Sequence, residues 1–65
     1  MSDSIQNFDE IIEKLKSVSE ILADKALDAL KEAHHAGETK RPELERTLTQ
    51  ARRAVEKAIS LLTRT

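Results

Sequence analysis

The chain has no cysteine, tryptophan or tyrosine, one phenylalanine (Phe8), one glycine (Gly37) and one proline (Pro42) in 65 residues. Without cysteine there is no disulfide to staple a small fold, no thiolate zinc site and no thiol nucleophile. A single glycine excludes the glycine-rich loops that cradle phosphates. Nowhere do 18 apolar residues run together, so no segment reads as a membrane span. The first ten residues, MSDSIQNFDE, lack the basic-then-apolar order of a signal peptide. Together with the missing cysteines, this makes a cytoplasmic protein the expectation.

What remains is charge and aliphatic periodicity. The net charge of −1 conceals a division: residues 1–39 carry four Lys against nine Asp and Glu, whereas residues 40–65 carry seven Lys and Arg against three Glu. Two such segments attract one another when they lie within a Debye length of roughly 8 Å. The division therefore reads as complementarity between neighbouring helices, with a docking face for a charged partner as the alternative.

From Phe8 to Ala36 the chain contains no glycine or proline. Phe8, Ile12, Leu15, Ser19, Leu22, Ala26, Ala29, Ala33 and Ala36 follow at alternating steps of four and three, the spacing of a helix packed lengthwise on another helix. Ile11 and Val18 widen this stripe on one side, Ala23 and Leu30 on the other, and Ile21 and Leu27 lie further out on opposite flanks. So wide an arc calls for more than one neighbouring helix. The spacing predicts a helix over about 5–36, with Ser4 or Asn7 as its cap and Ile5 at its uncertain edge. Glu10–Lys14 and Lys16–Glu20 are expected as i,i+4 ion pairs.

Gly37 stands where a left-handed residue would end this helix, and His34 and His35 fall in its last turn, near the negative end of the dipole. Residues 37–41 form a short connection. Pro42, most simply as the first helical residue, opens a second helix to about Thr63. Its stripe is Leu44, Leu48, Ala51, Val55, Ala58 and Leu62, flanked by Ala54, Ile59 and Leu61. So short a link makes the two helices antiparallel neighbours. The second helix is the shorter, so it leaves Phe8, Ile11 and Ile12 partly uncovered. The expected fold is all-α: one antiparallel two-helix hairpin over residues 1–65, dimerising into a four-helix bundle.

Few residues suggest chemistry. His34 and His35 are adjacent, so their rings point about 100° apart and cannot both reach one ion; a zinc helix spaces its histidines i,i+4. Carboxylates such as Glu10 and Glu13 occupy a solvated face, without the buried or paired setting that acid–base chemistry uses. No catalytic residue, metal or cofactor is expected. Arg46, Arg53, Lys57 and Arg64 form a basic row that invites comparison with RNA-binding hairpin dimers. It has no interleaved aromatic for base stacking, so nucleic acid ranks behind protein as a partner. The residues expected to meet a helical partner or a second copy are Phe8, Ile11, Ile12, Leu15, Val18, Ile21, Leu22, Leu27, Leu48, Val55, Ile59 and Leu62.

The helix–Gly turn–helix layout around Gly37 and the run AVEKAISLL, Ala54 to Leu62, resemble the short hairpin co-chaperones of type III secretion needle subunits. That run is similar to the Ala-Leu-Glu-x-Ala-Ile-x-Ile-Ile type of ending in that family. The resemblance implies a hairpin that pairs with a larger helical-repeat chaperone to hold the needle subunit unpolymerised. It would place Val55, Ala58, Ile59 and Leu62 on the paired-helix surface.

Overall fold

The uninterrupted stripe from Phe8 forms a helix, α1, over Asp9–His35, and the segment after Pro42 forms a second, α2, over Glu43–Arg64. These two α-helices pack against one another and are the regular elements of the computed structural model, which describes residues 8–64. The suggested caps Ser4 and Asn7, and Ile5, lie outside the described residues. Phe8 occupies the cap position itself. Its carbonyl accepts the Ile12 N–H at 2.8 Å, and it makes no side-chain capping bond. Asp9 and Glu10 then sit in the first turn, where the helix dipole favours negative charge.

The other end of α1 is closed by backbone bonds. Gly37 N–H donates to the His34 carbonyl and Glu38 N–H to the Ala33 carbonyl, both at 3.0 Å, while Gly37 takes φ 83°. This is the Schellman arrangement, which satisfies carbonyls that a helix end otherwise leaves bare. Ala36, the last residue of the expected stripe, is the exposed C-cap and lies outside the seam.

Pro42 is corrected by one position. It precedes α2 as the cap, and its carbonyl accepts the Arg46 N–H at 3.2 Å. A cap residue's carbonyl takes the first intrahelical bond, and that position also tolerates the missing proline N–H. Glu43 and Glu45 fall in the first turn of α2 and Arg64 in the last, each sign at the favoured end of the dipole.

On α1 the seam follows the alternating spacing: Phe8, Ile12, Leu15, Ser19, Leu22, Ala26, Ala29 and Ala33 are half-buried or buried. On α2 the contact is rotated. Leu48, Val55, Ala58 and Leu62 face α1 as expected, but Ile59, Glu45 and Thr49 are drawn in, and Leu44 and Ala51 are turned out. The alanines of α1 nearest the turn let the α2 backbone approach closely. The larger aliphatic residues hold the open end, where Phe8 and Ile12 are half-buried.

The hairpin is one layer of helices, about 40 Å long from the 27 residues of α1 at 1.5 Å each. Ala26 and Ser19 are the buried residues among those described, and no large side chain is fully enclosed.

Replacing Gly37 with alanine tests the turn. A Cβ there meets nothing within 4 Å, so the cost is the left-handed backbone alone, about 1–2 kcal/mol. Urea unfolding at matched protein concentration should show that loss with the m-value unchanged.

Candidate interaction surface

The twelve residues expected to meet a partner divide into two groups. Phe8, Ile12, Leu15, Leu22, Leu48, Val55, Ile59 and Leu62 are half-buried in the seam between α1 and α2. Ile11, Val18, Ile21 and Leu27 remain 42–56% exposed, and Leu30, Leu44 and Leu61 join them as exposed large apolar side chains. Leu30, Leu44 and Leu61 are not among the twelve; Leu44 and Leu61 belong to α2. The signal that could have separated them is the second apolar row on α2, which competes with the Leu48–Val55–Leu62 row for the seam.

The seven exposed residues are unevenly distributed. Ile11, Val18, Lys25 and Glu32 recur every seven residues, so they share one edge of α1. Lys25 and Glu32 line a groove with Leu44 and Leu48 of α2, which fixes that edge on the Leu44 side of the hairpin. Ile21, seven residues before the groove residue Asp28, is on the same side. The opposite side is marked by a groove between Lys16, Ser19 and Glu20 of α1 and Glu56 and Ile59 of α2. Five of the seven exposed apolar residues, Ile11, Val18, Ile21, Leu44 and Leu61, thus belong to one side. Leu27 and Leu30 belong to the other.

Polar side chains follow the same division. On the Leu44 side, the α2 edge Leu44, Thr47, Ala51, Ala54, Leu61 contains no charge. On the other, Glu56 Oε2 accepts from Ser19 Oγ at 3.2 Å and stands 3.3 Å from Arg52 Nη2. Ser19 is the buried polar member of the seam, and this bond across the helices satisfies it. Near the turn, Glu45 accepts from the Arg41 guanidinium and, at 3.1 Å, from the Thr49 hydroxyl. The Arg41 hydrogen bond holds the Glu45 carboxyl below the usual carboxylate range, helped by Thr49 and opposed by partial desolvation.

The helix-surface ion pairs differ from expectation. Lys16 pairs with Glu13 at 3.7 Å rather than with Glu20, and Glu10 and Lys14 do not close into a pair. Both sites are well exposed, where such pairs contribute a few tenths of a kcal/mol and their geometry is weakly held.

His34 and His35 lie exposed in the last turn of α1. Among the described residues no three His, Asp or Glu side chains converge as metal ligands would. The basic row Arg46, Arg53, Lys57, Arg64 is exposed along α2. A depression of about 580 Å³ at the turn, lined in part by Leu30, His34, Lys40 and Arg41, is wide open to solvent. No protein family, curated protein or solved structure matches this chain.

Because Glu45 titrates lower in the folded chain, its contribution to stability is complete above the ordinary carboxylate pKa. It is lost as pH falls through the depressed value. Glu45→Gln should therefore lower the thermal midpoint at pH 7. The difference from the unsubstituted chain should shrink to nothing at acid pH, in melts followed by circular dichroism.

Proposed function

We propose that the chain is a non-enzymatic interaction module that works through its apolar helix flanks, and that it self-associates into a homodimeric four-helix bundle. One observation carries this reading. Among the described residues of a hairpin one layer thick, seven large aliphatic side chains are 42–60% exposed, while the buried residues are one alanine and one serine. A chain of this size sits near the lower limit for folding unaided, and association is the usual way to complete its core.

Among partner proteins, the co-chaperone reading is the named alternative. The residues it assigns to the paired surface, Val55, Ala58, Ile59 and Leu62, are half-buried against α1 in the closed hairpin. A partner would have to take them with the hairpin opened, whereas the exposed flank needs no opening. An RNA-binding hairpin dimer is the competitor of another class. The exposed basic row favours it, and the absence of any aromatic on that row weighs against it. No helix among the described residues is long and apolar enough to cross a membrane. The cytoplasm, where a cysteine-free chain loses nothing, is the proposed setting.

Sedimentation equilibrium at several concentrations, with circular dichroism alongside, is the test. A helical dimer with a concentration-dependent thermal midpoint is expected. A poorly helical monomer would turn the reading toward a different protein as partner. Added salt should leave the dimer largely intact. RNA binding, if it occurred, should weaken steeply with salt and fail in an Arg53→Glu, Lys57→Glu variant.

A further inference from the structure

We infer that the partner of the Leu44 side is the same side of a second copy, related by a two-fold axis parallel to the helices, so that both turns lie at one end of the bundle. This rests on the self-association proposed above and adds the face and the orientation. The face follows from the asymmetry of the hairpin. Ile11, Val18 and Ile21 on α1 and the uncharged edge of α2 share one side, with Lys25, Asp28 and Glu32 of α1 confined to its turn-proximal half, while on the other side α2 presents Glu45, Arg52 and Glu56.

The orientation follows from where the apolar residues lie along that side. Ser19 is level with Glu56, because their side chains are bonded. Ile11, Val18 and Ile21 are therefore level with the second half of α2, which contributes Ala54 and Leu61. An axis parallel to the helices preserves level and sets α1 of one copy against α2 of the other. The three aliphatic residues of α1 then meet Leu61 and Ala54 of the second copy, and every neighbouring pair of helices is antiparallel.

An axis across the helices would instead stack α1 on α1 in opposite directions. With that axis at mid-helix, Ile11 and Val18 would meet the half of α1 that carries Lys25, Asp28 and Glu32, whereas the parallel axis keeps aliphatic residues against aliphatic residues and sets those three charged side chains against the Leu44–Ala51 stretch of α2. Net charge points the same way. α1 carries four Lys against seven Asp and Glu, and α2 five Lys and Arg against three Glu. The parallel axis sets unlike helices face to face; the crossed axis sets like against like.

The chain has no cysteine, so Thr39→Cys in the exposed turn provides one spin-label site per copy. Dipolar distances in the dimer should peak below about 30 Å if the turns share an end. Opposed turns would be separated by at least the length of α1, about 40 Å at 1.5 Å per residue. As a second arm, Val18→Asp should raise the dimer dissociation constant at least about tenfold, and Leu27→Asp on the other side by less than about threefold. A distance near 40 Å, or Leu27→Asp as the more damaging change, overturns this inference while a dimer in sedimentation leaves the self-association reading standing. A monomer at every concentration, with no dipolar coupling, overturns both.

Discussion

The seam between α1 and α2 is the constraint on which the rest depends. Its composition is graded: alanines near the turn, where the chain must double back, and Phe8, Ile12, Leu15 and Leu22 toward the open end. Small residues allow the short link after Gly37 to bring the helices into contact. Larger ones keep them in contact further along. Two helices side by side can nevertheless offer each other only one stripe, and among the described residues no large side chain is fully enclosed. The exposed aliphatic flanks follow from that geometry, and they motivate the interaction reading.

The polar features are arranged around the seam rather than away from it. Ser19 interrupts the aliphatic stripe at mid-helix, and Glu56 reaches across to it while also meeting Arg52. A polar link between helices is satisfied at one alignment, so it disfavours sliding by a turn, as buried polar groups do in paired helices. Arg41, Glu45 and Thr49 make a second cluster at the start of α2, tying the connection to the first turn of the helix that follows. Both clusters lie on the side away from Leu44. The Leu44 side carries most of the exposed aliphatic residues among those described.

The uncovered aliphatic side chains are the most distinctive surface feature of the described residues. Among the described residues no three His, Asp or Glu side chains converge, and the basic row on α2 is exposed to solvent. Exposed apolar flanks of this kind are the usual mark of an interaction surface, which is the basis of the proposal. The proposed dimer covers the larger of the two, and Leu27 and Leu30 remain as a smaller apolar area on the outside of such a bundle.

The two helices, the turn and most of the α1 seam are legible in the amino-acid sequence. Periodicity, the lone glycine and the lone proline each constrain the backbone locally, and α1 has one dominant stripe. The sequence also indicated that the apolar arc of α1 exceeds what one neighbour covers. The rotation of α2 was decided only by tertiary packing. Its apolar residues fill two adjacent rows, and spacing alone does not say which row meets α1. The Leu48–Val55–Ile59–Leu62 side is taken inward along with Glu45 and Thr49, and Glu56 reaches Ser19, so Leu44 and Ala51 turn outward. The same choice gathers the exposed aliphatic residues of both helices on one side. Which residues share a surface depends on how each helix is turned about its own axis, and that is a property of the pair rather than of either helix alone.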